Sequence, residues 1–261
     1  MIGITGHRGV LGTLLKEKLS RQGVPCSGYD GDIRDSKALN RWIGDHTWEA
    51  IFHFAAKVPV QWVRENPFDA YAINVGGCLR LGEALLATDQ RPYLLYASSS
   101  HVYASKREPI AEEDPVGPIN QYGQTKYQGE VVLDALSTQA GIPVCRARIF
   151  SFYSDRQAPG YLYPAIKRRL QTEDLSKPFR LMGARSIRDL SPAMDIADRL
   201  LAVYERRATG AINIGSGRGI RIMDFVQSLA PCSLTFEIDE NEEVNHLVAD
   251  VSKLNQLMVI E

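Results

Sequence analysis

Residues 121–126 read QYGQTK and set Tyr122 and Lys126 four positions apart. On a helix that spacing stacks the two side chains on one face, a single turn from each other. A phenol, with an ordinary pKa of about 10, is a poor base at neutral pH. An ammonium one turn away, joined by the positive charge of an oxidised cofactor, favours the phenolate and makes such a pair suited to proton transfer. The same spacing also occurs on solvated helices that do no chemistry, so the rest of the chain has to decide between the two. A second stretch with chemical spacing is TGHRGVLG at residues 5–12. Here Gly6, Gly9 and Gly12 let the backbone turn tightly, let a pyrophosphate approach, and let the following helix pack on the sheet with its N-terminus toward the phosphates. The triplet alone is a weak signal; its place between a first strand and a first helix is the context that a dinucleotide fingerprint requires.

The elements that must position these groups alternate. Short apolar strands are expected at residues 1–4, 24–29, 50–54, 93–97 and 144–150, separated by helices at 12–21, 36–43, 72–86 and 122–139. This pattern predicts an α/β fold with a doubly wound, Rossmann-like parallel sheet. Beyond residue 150 the regularity loosens into helices at 163–170, 192–206 and 222–229 and a strand at 211–214. We therefore expect a dinucleotide-binding domain over 1–150, to which 188–215 return, and a small, interwoven substrate lobe made of 151–187 and 216–261. The Pro-rich, charged stretch 107–120 reads as a loop over the site.

A chain of 261 residues suffices for one such unit, and its formal net charge of −1 gives no general attraction to nucleic acid or to membranes. No apolar run approaches the roughly 20 residues that span a bilayer, and Met1 leads directly into a strand, so cytoplasmic placement is expected. The four cysteines are scattered without a CxxC pair and read as reduced thiols, and no metal site is expected.

Nine motifs in order, TGHRGVLG, GDIRD, FHFAAKV, INVGG, YASSSHVY, YGQTK, RIFSFYS, RSIRDLSPAMDIAD and INIGSG, span nearly the whole chain. In this order they resemble the extended short-chain dehydrogenase/reductase family, the NAD-dependent epimerases and dehydratases of nucleotide sugars. The resemblance implies that Tyr122 and Lys126 are catalytic, with Lys126 also bonding the nicotinamide ribose. Of Ser98, Ser99 and Ser100, counting back from Tyr103 places the catalytic serine at Ser99. It further implies cofactor contacts from Gly6, Arg8, Gly9, Val10, Leu11 and Gly12, from Asp30, Asp32 and Ile33, and from Phe54, Ala55, Ala56 and Lys57. Substrate contacts are expected from Ser100, His101, Ser151 and Arg188, the last as a clamp on a diphosphate. Asn74 should tie the catalytic helix to its neighbour, and the helices at 72–86 and 122–139 should form a homodimer bundle.

The resemblance also divides the reaction types. Family dehydratases carry an acidic pair after the catalytic Ser or Thr, where this chain has Ser100 and His101, so dehydration is not expected. The expected cofactor is NAD, with Asp30 on the adenosine ribose; Arg8 in the glycine loop keeps NADP as the alternative. The C-terminal stretch DENEEVNHLVAD lacks the arginine that relatives place on the second phosphate. Similarity to GDP-4-keto-6-deoxymannose reductases implies hydride transfer at C4 of a 4-keto-6-deoxy sugar nucleotide. Two alternatives stand beside it: a nucleotide-sugar 4-epimerase that retains its NAD, and a regulatory subunit that binds a dinucleotide without turning it over.

Overall fold

The computed structural model describes residues 1–258. Its strands in chain order are β1 (Ile2–Thr5), β2 (Cys26–Tyr29), β3 (Ala50–His53), β4 (Tyr93–Ser99), β5 (Val144–Ile149), β6 (Ser151–Tyr153), β7 (Phe179–Arg180), β8 (Ile187–Pro192), β9 (Gly210–Ile214), β10 (Gly219–Arg221), β11 (Phe236–Glu237) and β12 (His246–Leu247). The helices are α1 (Val10–Arg21), α2 (Ser36–Gly44), α3 (Val60–Glu65), α4 (Pro67–Asn74), α5 (Gly76–Leu86), α6 (Gln121–Ala140), α7 (Leu162–Thr172), α8 (Ala193–Glu205), α9 (Ile222–Leu229) and α10 (Ser252–Met258).

Six strands form the main sheet, all parallel, in the order β2-β1-β3-β4-β5-β9. Parallel neighbours need crossover helices, and these cover both faces. On one side Leu14, Leu15, Ile196, Leu200 and Leu254 from α1, α8 and α10 pack on Ile2, Ile4 and Phe52. On the other, Leu39, Leu81 and Leu133 from α2, α5 and α6 pack on Ile51 and Leu94. Burial on both faces is why the strands read as unbroken apolar runs. The chain steps from β1 outward to β2, then crosses back to β3, so the order reverses between β1 and β3. A crevice opens at such a reversal, outside the carboxyl ends of the strands.

The second sheet is centred on β8, which pairs antiparallel with β10 and parallel with β12 and β6. Four expectations change accordingly. The strand expected at 144–150 ends at Ile149, and Ser151 opens β6 in the other sheet. The return to the main sheet begins at α8, not at residue 188, because residues 187–192 are the centre of the small sheet. The C-terminal segment does not stay in the small lobe, since Leu254 of α10 joins the core beside α8. The helix expected at 72–86 is two helices: Asn74 ends α4 with its side chain drawn into the protein, and Gly76 and Gly77 begin α5. A Cβ on Gly77 would lie 2.9 Å from Ile33 Cγ1, so glycine permits this close packing. The short connection from β2 to α2 contains no further strand.

Candidate active site

The reversal between β1 and β3 is built by glycine. Gly6 follows β1 with φ +70°, a conformation that side chains rarely adopt, and a Cβ there would lie 2.7 Å from the Ala55 backbone nitrogen. A Cβ on Gly12 would lie 2.5 Å from the Gly6 oxygen, so α1 can start here only against glycine. Gly9 is the N-cap of α1 and contributes no capping side chain, which leaves the first-turn N–H groups of the helix for a ligand. This cradle opens into a cavity of about 580 Å³. Its backbone donors and close approach suit a pyrophosphate, and the residues present fit a dinucleotide.

Asn120 begins the next part. Its side chain caps α6 by accepting the Gly123 N–H at 2.9 Å, and Gly141 in the left-handed conformation closes the twenty-residue helix. Tyr122, Lys126 and Glu130 then lie on one face at successive turns, and all three are buried. Ser99 ends β4 beside them, where its hydroxyl accepts the His101 N–H at 3.2 Å. Asn74 accepts the Lys57 N–H at 2.7 Å and donates to the Lys57 carbonyl at 3.0 Å and to Thr125 Oγ1 at 2.9 Å. It thereby fastens α6 to the segment after β3, the bonding role that the sequence analysis assigned to it.

The electrostatics differ from the simple expectation. Burial raises the Tyr122 phenol above its usual range, with the Ser99 hydroxyl pulling the other way. The Lys126 ammonium lies 4.2 Å over the Tyr96 ring. Burial lowers Lys126 to about 8, against the opposing pull of Cys78 and Glu130. Glu130 in turn forms a bidentate pair with Arg148, at 3.0 and 2.8 Å, and accepts the Ser98 hydroxyl at 2.5 Å. Arg148 donates on to Tyr103, which donates to Asn213. This buried network joins β4, β5, β9 and α6 around the candidate site.

Of the residues expected from sequence, Gly6, Gly9, Val10, Leu11, Gly12, Phe54, Ala55, Ala56, Ser99, Ser100, His101, Tyr122, Lys126, Ser151 and Arg188 line the one cavity. Arg188 is set on β8 by bonds from its guanidinium to the Ile187 and Asn245 carbonyls, at 3.1 and 3.0 Å, and burial lowers its pKa. Arg8, Asp30, Asp32, Ile33 and Lys57 lie outside the lining. Arg8, within the glycine loop, and Asp30, after β2, are exposed and paired with each other at 2.5 Å. The Asp32 carboxylate is held by Arg34 in a two-pronged pair. Ile33 packs in the core under α5, against Gly77. Lys57 sets its ammonium 5.1 Å over Trp62.

Sequence reasoning missed the aromatic wall of the cavity, where Tyr153 stacks near Tyr163 and Phe225 at centroid distances of 5.2 and 5.3 Å. The signal was the tyrosine-rich GYLYP at 160–164, which periodicity alone does not separate from core. It also missed Glu130, whose signal was its place four residues after Lys126.

The comparisons with known proteins agree with this geometry. The model of the NAD dependent epimerase/dehydratase family matches residues 2–215. A protein described as an uncharacterized UDP-glucose epimerase of Bacillus subtilis is 28% identical over 220 residues, 80% of this chain and 68% of that protein. The UDP-glucose 4-epimerase of Lactobacillus helveticus is 26% identical over 219 residues, 77% of this chain and 66% of that protein. The matches thus cover about two thirds of the relatives' length. The Thermus thermophilus UDP-glucose 4-epimerase, solved in complex with NAD, superposes with a TM-score of 0.83 at 21% identity, covering 98% of this chain and 92% of that one. A glycine cradle at the first strand, a Tyr and Lys one turn apart and a family match over most of the chain lead to one conclusion: this chain belongs to the NAD-dependent epimerase/dehydratase family.

Proposed function

We propose that the protein is a 4-epimerase of a nucleotide sugar that retains its NAD. The observation that carries the reading is the meeting of Ser99, Tyr122 and Lys126 in the cavity into which the glycine cradle opens. The named relatives favour epimerisation over the C4 ketone reduction that the sequence implied, since they are described as UDP-glucose 4-epimerases.

NAD, when bound, accepts and returns a hydride at the sugar carbon. The chain's own groups handle the proton and the geometry. Tyr122 takes the proton of the C4 hydroxyl and later restores it, while the Ser99 hydroxyl holds the same oxygen. Lys126, buried one turn along the same helix face, would hold the ribose of the nicotinamide end. Arg188 binds a phosphate oxygen of the substrate, and Ser151 and Ser100 add hydroxyl contacts to the sugar. The aromatic wall of Tyr153, Tyr163 and Phe225 excludes water while the ketone turns from one face to the other. Asp30 and Arg8, paired outside the cavity, meet the adenosine end of the cofactor, with Asp32 as a further contact near it, and Lys57 contacts the cofactor from the segment after β3. Ser100 and His101 stand where a dehydratase would need carboxylic acids, which supports epimerisation without loss of water.

The proposal includes a homodimer and a reducing compartment. Phe68, Tyr71, Leu79 and Val131 are exposed apolar side chains on α4, α5 and α6, a surface that a second copy would cover. The four cysteines, including buried Cys78 and Cys145, are all free, as in a cytoplasmic protein. Among the described residues no helix is long and apolar enough to cross a membrane.

The test is to denature freshly purified protein and identify the nucleotide released by chromatography and mass spectrometry, then to assay the native protein with UDP-galactose. Near-stoichiometric NAD and formation of UDP-glucose are expected. An empty protein that prefers NADPH and reduces a 4-keto-6-deoxy sugar nucleotide would overturn the epimerase reading in favour of the reductase.

A further inference from the structure

His101 lines the substrate end of the cavity, and the fold fixes which of its ring nitrogens carries the proton. The side-chain oxygen of Asn120 is occupied by the Gly123 N–H at 2.9 Å, so the amide nitrogen must point the other way, where it lies 2.9 Å from His101 Nδ1. An amide nitrogen only donates. Nδ1 therefore accepts, and a neutral imidazole that accepts at Nδ1 carries its proton at Nε2.

The ring has little freedom to escape this arrangement. The His101 N–H bonds the Ser99 hydroxyl, and its carbonyl accepts the Ile119 N–H at 3.3 Å. A Cβ on Gly123 would lie 2.0 Å from the His101 oxygen, so the start of α6 is docked against this backbone as closely as glycine allows. The ring itself stands edge-on to Tyr122, with centroids 5.6 Å apart. Burial, helped by the charge of Arg188, lowers the His101 imidazole to about 4 against the opposing hydrogen bond with Asn120, so the ring is neutral at pH 7.

We propose that His101 is a fixed Nε2–H donor that selects substrates bearing an acceptor oxygen on the carbon next to the reacting one, and that Asn120 is the positioning residue that sets its tautomer. The proposal rests on the reading of the same site given above. His101 is thereby a recognition group and not a second acid or base, because it keeps its proton throughout.

The primary test is the side-chain nitrogen NMR spectrum of uniformly 15N-labelled protein as purified, with His101 assigned by the signals missing in His101→Phe. A pyridine-type Nδ1 and a protonated Nε2 are expected. In Asn120→Asp the carboxylate still caps the Gly123 N–H but offers His101 an acceptor, so the two nitrogens should exchange roles. Retention of α6 is checked by circular dichroism, and NAD content should be unchanged. A proton on Nδ1 in the unmodified protein, or an unaltered ring in Asn120→Asp, overturns the proposal.

The substrate arm compares UDP-galactose with its 3-deoxy analogue. The unmodified protein should favour UDP-galactose in kcat/KM by about 10- to 100-fold, the range for an unpaired polar group in a recognition site, and His101→Phe should lose that preference. A preference that survives in His101→Phe overturns the selective role. Failure of the unmodified protein to turn over UDP-galactose, together with release of no NAD on denaturation, refutes the epimerase reading, and the tautomer spectrum then decides this proposal alone.

Discussion

The ammonium of Lys126 lies 4.2 Å over the ring of Tyr96, a residue of the strand that also carries Ser99. The catalytic candidate is thus held by an aromatic face inside the protein, and burial has a measurable cost. Lowering its pKa from 10.5 to about 8, at about 1.4 kcal/mol per unit, amounts to ~3 kcal/mol at neutral pH.

The sign of that cost gives the first prediction. Below pH 8 the folded chain carries the full penalty, and between pH 8 and 10.5 the unfolded chain binds more protons than the folded one. Stability against urea should therefore rise with pH across that window. Lys126→Met should be more stable than the unmodified protein at pH 7, by about 1–3 kcal/mol after relaxation, and should lack the rise. Equal unfolding midpoints for the two proteins at pH 7 would remove the argument.

Tyr122→Phe keeps the ring and removes the proton carrier. Turnover should fall by roughly 10²- to 10⁴-fold, the span of general acid–base catalysis, while released NAD stays near stoichiometric. A chain that only binds a dinucleotide would have no turnover to lose, so the pair of measurements separates an enzyme from a regulatory subunit.

Breaking the buried Glu130–Arg148 pair leaves an uncompensated charge in the core. Glu130→Gln should destabilise the fold by about 3–5 kcal/mol. The double variant Glu130→Gln, Arg148→Met should recover part of that loss, because the orphaned guanidinium is gone. Additive losses in urea unfolding would show that the two side chains act separately.

The Arg8–Asp30 pair predicts how cofactor preference responds to substitution. Asp30→Asn removes the carboxylate that repels a 2′-phosphate and releases Arg8 to meet one. Relative affinity for NADPH over NADH should rise by about 10-fold or more, as expected when a like-charge clash is removed. Titration of the emptied protein with each nucleotide measures the ratio, and an unchanged ratio would place the adenosine end elsewhere.

Much of this site was legible in the sequence because its signals are local. The glycine loop needs three small residues at fixed offsets, and Tyr122 and Lys126 need only one helical turn. The serine assignment needed only a count back from Tyr103. Features that depend on long-range packing were not legible. The bonding role of Asn74 was legible, but the division of residues 72–86 into two helices was not. Nothing local announces that Ile33 packs against Gly77. The small sheet was missed because its strands are two to six residues long and owe their pairing to β8, not to their own patterns. The tautomer of His101 rests on an amide nineteen residues away.

The short connection between β2 and α2 leaves β2 as one rim of the main sheet, and rims are where sheets of neighbouring molecules can join into fibres. This rim has only four residues and follows Pro25, and Trp42 of α2 reaches back to bond the Ser27 hydroxyl at 3.3 Å. At the opposite rim, Lys253 donates to the Ala211 carbonyl of β9 at 2.8 Å and occupies an acceptor that a foreign strand would need. Both rims are thus poor templates for self-propagating stacking, so concentrated solutions should resist fibrillation while leaving the helical faces free to associate.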